Sequence, residues 1–251
     1  MMSLALLAAL LLPPRLTRAM SDPIVRLDVF QVRTANIPKA ILLMGTQRRV
    51  LRKYPDIKFW KLLGTGSGKT FTSRDADLHH WAVLTVWDQE IGAENFEDSV
   101  AIGSWEKIQK EHCCLIMSAL SAKGTWAKAK PFGDPVPVKW AGTTAALTRA
   151  AIKPKFWREF WRSVPPVSAD LNQTPGLITS LGIGEAPVGL QGTFSIWRDN
   201  ESITQFASKQ APHQAVIKRT HETGWYSEEL FARFKVIKSH GSFNGIDLSS
   251  L

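Results

Sequence analysis

His213 is the histidine whose neighbours best suit a buried site. It follows Pro212 in a segment predicted to be helical over residues 202–219, and Val216 and Ile217 come three and four residues later. That spacing puts all three side chains on one helix face, which is apolar and is expected to point inward. An inward imidazole beside a cavity is a candidate axial ligand for haem iron. The alternative is a partly buried histidine that hydrogen-bonds to a local carbonyl group.

Two neighbouring cysteines are the other candidate ligands for iron. Cys113 and Cys114 lie in a predicted strand, where adjacent side chains point to opposite faces, so a disulfide between them is not expected. A chain without disulfides suits a reducing compartment. A thiolate on haem iron would favour cleavage of the O–O bond. Both cysteines lie in the half of the chain that lacks the candidate haem helix, which favours His213.

A glycine-rich segment, GTGSGKT at residues 64–70, is similar to a phosphate-binding loop. The phosphate-loop pattern requires glycine where this chain has Leu63, and it requires a helix directly after the loop. Residues 71–75 lead into a predicted strand instead. The sequence therefore predicts a hairpin loop at this place and no nucleotide site.

Two acidic pairs, Glu97-Asp98 and Glu228-Glu229, are the remaining candidates for acid–base chemistry. Neither forms a clear acid/base pair, and no Ser-His-Asp or Cys-His arrangement can be assembled from the spacing of residues in the chain. Short runs of charge usually lie on solvated faces. We therefore expect both pairs to face solvent.

A repeat predicts how these residues are positioned. LGTG at 63–66 precedes a strand that ends at Trp87, and LGIG at 181–184 precedes one that ends at Trp197; in both copies a phenylalanine follows nine residues later, at Phe96 and Phe206. Each half shows the order β-α-β-β-α-β, which is the ferredoxin-like pattern. We expect an α+β fold in which duplicated ferredoxin-like units pair their sheets as a dimeric-type α+β barrel within one chain, with a ligand cavity between the sheets.

The predicted organisation has four parts. Residues 1–20 are an apolar N-terminal extension, in which the apolar run of nine residues at 4–12 is too short to span a bilayer and has no basic side chain before it. These features favour a mis-assigned start codon or a disordered extension over a secretory signal. A first unit at residues 21–126, an exposed proline-rich linker at 127–142 and a second unit at 143–251 follow. Residues 95–110 are predicted as one helix, and residues 230–237 as the last strand.

The composition suits a large apolar ligand. The 251 residues are 44% apolar and include 10 Trp and 12 Phe, flat side chains that fill a core or line a pocket. The net charge of +9 favours anionic membrane surfaces or acidic protein partners. Because the basic residues are scattered, the sequence predicts no nucleic-acid partner.

The sequence resembles the spheroidene monooxygenase family from about residue 24 to residue 243. The resemblance is carried by several separate blocks. They are FWKLLGTG at 59–66, ALTRA at 146–150, GIGE at 182–185, TFSIW at 193–197, Pro212-His213 and GWYSEELFARF at 224–234.

This resemblance implies a haem-dependent monooxygenase that introduces a keto group at C-2 of acyclic carotenoids such as spheroidene. The reaction would use O2 and electrons from reduced ferredoxin. The resemblance strengthens His213 as the haem iron ligand, and the first copy has Gly103 near the equivalent position. A substrate pocket is expected at Phe194, Trp197, Trp225 and Tyr226.

The expected place of action follows from the substrate that the resemblance implies. An apolar polyene is held in a membrane, so we expect a cytoplasmic protein that is peripheral to the inner membrane. The alternative function is a cofactor-free α+β barrel module that binds an apolar ligand, which would carry bound lipid but no iron.

Overall fold

A computed structural model describes residues 22–66, 76–156, 171, 174–185, 192–209 and 225–251. The predicted N-terminal extension and His213 both lie outside the described residues. The strands of the first half are β1 Ile24–Val32, β2 Ile57–Gly66, β3 Ala76–Trp87 and β4 Gln109–Gly124. Its helices are α1 Ile37–Leu51, α2 Glu90–Asn95 and α3 Val100–Glu106. The second half contains β5 Thr144–Ile152, β6 Leu177–Gly184, β7 Gly192–Trp197, α4 Asn200–Lys209, β8 Tyr226–Phe243 and β9 Ile246–Asp247.

The predicted α+β class is confirmed, but two elements differ from their predicted bounds. The single helix expected at residues 95–110 is two short α-helices joined by a 3-10 turn at Phe96–Asp98. Ser99 starts the second of them, because its hydroxyl accepts a hydrogen bond from the Ile102 N–H at 3.2 Å. The last long strand runs well beyond the predicted residues 230–237, because polar side chains along β8 face solvent and hide its apolar alternation.

The strands pair in a ring. The order is β4-β1-β3-β2-β6-β7-β5-β8, and a further pairing of β8 with β4 joins the two ends. Each half places its strands in the same spatial order, which is β4-β1-β3-β2 in the first half and β8-β5-β7-β6 in the second. Counted along the chain within a half, this is the fourth strand, then the first, third and second. The halves meet along two seams: among the described residues, β4 and β8 share eleven pairs and β2 and β6 share three, the last at Gly66. Gly66 also pairs with Ala76, so β2 and β3 are antiparallel neighbours, as the predicted hairpin requires. The rest of the glycine-rich segment, residues 67–70, lies outside the described residues.

The ring separates three layers of side chains. Its interior is filled by apolar residues of both halves, such as Leu84, Leu147 and Phe234. The outside of the first-half strands, called here the first outer face, is covered by the three helices of that half and contains Phe30 and Trp105. The outside of the second-half strands, called the second outer face, has a smaller cluster near α4.

The two cysteines lie on opposite faces of β4, as predicted. Cys113 belongs to the interior cluster and Cys114 to the first outer face, and both are free thiols. Burial raises the pKa of Cys113 to about 12, and it also raises the pKa of Cys114. Both groups are therefore protonated near neutral pH.

The predicted linker is not wholly exposed. Pro131 and Phe132 are buried, and the Phe132 ring packs edge-on against Phe234 of β8 with ring centroids 4.9 Å apart. The exposed part of the linker includes Val136 and Val138. Among the described residues, no helix has the length and apolar character needed to cross a membrane.

Candidate functional site

A shared hydrogen bond relates the two halves residue by residue. The indole N–H of Trp87 donates to the Thr85 hydroxyl at 2.8 Å, and that of Trp197 donates to the Ser195 hydroxyl at 2.9 Å. Phe96 and Phe206, nine residues after each tryptophan, contact those rings at 5.3 and 5.7 Å between centroids. The sequence repeat therefore corresponds to the same local packing in both halves. Thr85 of the first outer face and Ser195 of the second are therefore equivalent positions, and the other positions of the two faces can be matched from them.

The first outer face is built from large or charged side chains. Residues that pair with one another from strand to strand form a row across the sheet. Two such rows, the first containing Thr85, cross the four strands of the first half on this face. The rows are Trp60–Thr85–Arg26–Ile116 and Leu62–Val83–Asp28–Cys114. Aromatic, branched and long side chains fill this surface up to the helices above it. The cluster of buried side chains on this face includes residues of all three helices above the rows.

The equivalent rows of the second outer face consist mostly of small side chains. Starting from Ser195, the registers give Ser180–Ser195–Ala146–Arg233 and Gly182–Thr193–Thr148–Phe231. Ser180 occurs where the first half has Trp60, Ala146 where it has Arg26, and Gly182 where it has Leu62. The strands of the second half thus present a shallow floor. Ile203 and Phe206 of α4 pack over one end of it, beside Trp197.

The four predicted pocket residues are not brought together on one surface. Phe194 is buried in the ring interior, whereas Trp197 lies on the opposite face of β7 and packs under α4. Trp225 is buried just before β8, where its carbonyl accepts a hydrogen bond from the Lys153 N–H at 2.9 Å. Tyr226 is half-buried and pairs with Ile152 of β5.

A charged cluster lies at one end of the ring interior. It comprises Lys61, Trp126, Arg149, Glu185 and Glu228, and is called here the mouth cluster. Glu185 accepts hydrogen bonds from Lys61 at 2.6 Å, from the Trp126 indole at 2.7 Å and from Arg149 at 3.1 Å. Arg149 also donates to Glu228. Both cations lie over the Trp126 ring, 5.5 Å from its centroid. The cluster joins residues from both halves of the chain.

The surroundings of Glu228 overturn the expectation that it faces solvent. Burial acts to raise the pKa of Glu228, but hydrogen bonds from the Lys128 N–H, Arg149, Thr125 and the Ala127 N–H outweigh it and lower the pKa to about 2. The pKa of Glu185 is also lowered: burial opposes this, and bonds from Lys61 and Trp126 outweigh burial. Both carboxylates are therefore ionised at every pH at which the protein would work.

We predict that Glu228 stabilises the fold in a pH-dependent way. Its folded pKa of about 2 is below the ordinary value of 4.5, so its contribution is complete above pH 4.5 and is lost as the pH falls toward 2. Glu228→Gln should lower the free energy of unfolding by about 1–3 kcal/mol at pH 6, and by much less at pH 3. Urea denaturation at the two pH values measures this difference. Glu229→Gln, next along β8, is the matched control and should change stability by less than about 0.5 kcal/mol.

Glu97 is likewise no solvated residue. It accepts a hydrogen bond from Arg26, which is buried and also forms bonds of 2.9 and 2.8 Å to the two carboxylate oxygens of Asp28. Glu97, Cys114 and His240 bring potential metal-ligand atoms within 4.8 Å of one another. Because the Arg26 guanidinium already neutralises Glu97 at this place, the group is best described as an ion-pair network.

The described residues do not meet the expectation of a ligand cavity between the sheets, because apolar side chains fill the interior. A crevice at the mouth cluster, lined by Leu63, Ile183 and Glu185 among others, has no volume open to a water-sized molecule. A cleft of about 420 Å³ lies outside it along β2 and is lined by Arg48 of α1, Trp60 and Glu185 among others. That volume is above the ~300 Å³ at which ligand pockets begin. The small side chains of the second outer face mark a second candidate surface for a large ligand.

Comparison with known proteins places this arrangement in a family. No family model matches the chain. Spheroidene monooxygenase of Rhodobacter capsulatus is 36% identical over 232 residues, which cover 90% of this chain and 95% of that protein. The chain belongs to the spheroidene monooxygenase family. The enzyme of the same name from Cereibacter sphaeroides is 35% identical over 77% of this chain and 60% of its own length.

Membership of the spheroidene monooxygenase family makes the chain a monooxygenase enzyme. Among solved structures, an aldoxime dehydratase in complex with butyraldoxime is similar, with a TM-score of 0.54 and 11% identity over 87% of this chain and 80% of that chain. At that identity the likeness shows a shared fold only.

The blocks that carry the family resemblance converge on the mouth cluster. Lys61 comes from residues 59–66, Arg149 from 146–150, Glu185 from 182–185 and Glu228 from 224–234. The structure brings these distant blocks within hydrogen-bonding distance of one another. Sequence reasoning missed this cluster, although a signal was present: each of these four blocks carries at least one charged residue within or beside an apolar run.

Proposed function

We propose that the chain is a haem-dependent monooxygenase that introduces a keto group at C-2 of acyclic carotenoids such as spheroidene, using O2 and reduced ferredoxin. The observation that carries this proposal is the 36% identity to a spheroidene monooxygenase over nearly the whole length of both proteins. A monooxygenase puts one atom of O2 into the substrate and reduces the other to water, so each turnover takes two electrons from an external donor, and conversion of a CH2 group to a ketone takes two such turnovers. A reduced ferredoxin is proposed as the source of these electrons.

The fold proposal is that the two halves are duplicated ferredoxin-like units paired as in a dimeric-type α+β barrel. The same strand order in both halves supports it, as does the matching bond from Trp87 to Thr85 and from Trp197 to Ser195. The two halves then differ in their outer faces. The rows of the first outer face carry large or charged side chains, and those of the second carry mostly small ones.

The shallow floor of the second outer face suits a flat cofactor. Haem is a planar macrocycle, and small side chains such as Ala146, Thr148 and Gly182 leave room for one above the strands. Haem, when bound, supplies the activation of O2 that side chains cannot provide. His213 is the residue proposed to hold its iron, and it belongs to the chain segment that follows α4. The protein's own part is to hold the cofactor and to orient the apolar substrate beside it.

The proposed surroundings follow from charge and substrate chemistry. A net charge of +9 favours both an acidic electron donor and an anionic membrane surface. We propose that the enzyme acts in the cytoplasm in peripheral contact with the membrane that holds its carotenoid substrate.

The proposal is tested by haem spectroscopy together with product analysis. The full chain, mixed with haem, should show a Soret band, and its expression in a host that accumulates spheroidene should give the C-2 ketone. Thr148→Trp should lose both, because an indole would fill the floor, whereas Thr148→Val keeps the same shape and should retain both. Ketone formation by protein that contains no haem would exclude the proposed cofactor. Absence of the ketone with a haem-loaded protein would exclude the proposed substrate.

A further inference from the structure

Arg233 is a half-buried cation on the second outer face with only neutral partners. Its guanidinium Nη1 donates hydrogen bonds to the Asn200 side-chain oxygen at 2.9 Å and to the Thr204 hydroxyl at 3.1 Å, both on α4. Among the residues that the structure describes, no carboxylate forms an ion pair with it. Burial alone lowers the pKa of Arg233. A guanidinium remains charged all the same, and no described residue neutralises this positive charge.

The positive charge of Arg233 has no counterpart at the equivalent position of the first half. The residue in the equivalent row position is Ile116, which is buried and apolar. The second half therefore has a cation where its counterpart has a core side chain, beside the small floor residue Ala146. Burying part of a charge without an ionic partner costs free energy unless something else neutralises it. The two contacts from α4 hold the guanidinium in place and leave its remaining N–H groups for another acceptor.

We propose that Arg233 binds a carboxylate group of the planar cofactor that occupies the second outer face. The inference rests on the proposed haem dependence, since haem carries two propionate carboxylates at one edge of its ring. A guanidinium fork matches a carboxylate in a two-bond geometry, which a lysine cannot reproduce. Arg233 thereby fixes which edge of the macrocycle faces α4. It is a cofactor-binding residue and takes no part in the oxidation itself.

The test is a titration followed by Soret absorbance with two probes, haem and haem dimethyl ester, in which both carboxylates are blocked. Arg233→Gln should bind haem about tenfold to a hundredfold more weakly than the unchanged protein, and Arg233→Lys should fall between the two. For the ester, all three proteins should bind with equal affinity. Lys39→Gln removes the same charge from the exposed surface of α1 and should leave both affinities unchanged.

The possible outcomes separate this inference from the proposed function. An unchanged protein that binds neither probe overturns the proposed cofactor and Arg233's role with it. Haem bound equally well by Arg233→Gln overturns the role of Arg233 alone. If Arg233→Gln does not fold, the unchanged protein decides: it should bind haem more tightly than the ester by the same factor, and equal affinities overturn the proposal.

Discussion

Haem binding is expected to be lost when His213 is replaced by alanine, while the fold is retained. Removing the proposed bond from the protein to the haem iron should weaken haem binding by more than the ~10–100-fold that substitutions around metal ligands cost. His213 follows α4 in sequence, and α4 packs on the second outer face through Ile203 and Phe206. The measurement is the Soret band after haem is added, with circular dichroism to confirm the fold.

The matched control is His221→Ala, eight residues further along the same segment, which should bind haem as the unchanged protein does. Addition of free imidazole should restore a Soret band in His213→Ala, because a small ligand can replace the missing side chain. A full Soret band in His213→Ala without imidazole would mean that another residue binds the iron. Loss of the band in both variants would point to a general loss of structure in this segment.

Replacing Arg26 by leucine is expected to lower the free energy of unfolding by about 3–5 kcal/mol. Arg26 is 1% exposed and Asp28 is fully buried, so the substitution leaves the Asp28 carboxylate buried, with the His112 imidazole 3.0 Å away as its remaining side-chain hydrogen-bond partner. Burial raises the pKa of Asp28, but Arg26 and His112 outweigh burial and lower it. Urea denaturation at pH 7 measures the loss.

Two further variants show whether the loss comes from an unpaired charge. The double variant Arg26→Leu/Asp28→Leu removes both charges and should be more stable than Arg26→Leu alone. Lys58→Ala breaks an ion pair with Asp88 in which both side chains are more than half exposed, and should cost about 0–1 kcal/mol. A double variant less stable than Arg26→Leu would show that the network acts through shape and hydrogen bonds instead of charge.

Local sequence patterns were sufficient for the strands and for the repeat. Trp87 and Trp197 mark equivalent strand ends because each needs a hydroxyl two residues earlier for its indole N–H, and Thr85 and Ser195 supply it. Such a requirement acts over a few residues, so it can be read from the chain. Ser99, whose hydroxyl begins α3, is a signal of the same kind, but the prediction of one helix over residues 95–110 missed it.

The mouth cluster could not be predicted, because it depends on contacts between distant parts of the chain. Glu228 was expected in solvent, but Arg149 reaches it from β5, a separation of 79 residues. Charge runs carry no information on whether a cation lies opposite in the ring. Phe194 and Trp197 of the predicted pocket lie three positions apart on one strand, so their side chains face opposite sides of the sheet.

The ring joins the two halves at two seams, and both seams border one shared interior. Among the described residues, β4 and β8 share eleven pairs, and β2 and β6 share three beside the contact of Lys61 with Glu185. Separating the halves at either seam would expose interior side chains of both halves, such as Leu84 and Phe234, to water, which costs about 25 cal/mol for each Å² of apolar surface. The two halves are therefore expected to unfold together in one cooperative transition, although each repeats the same strand order.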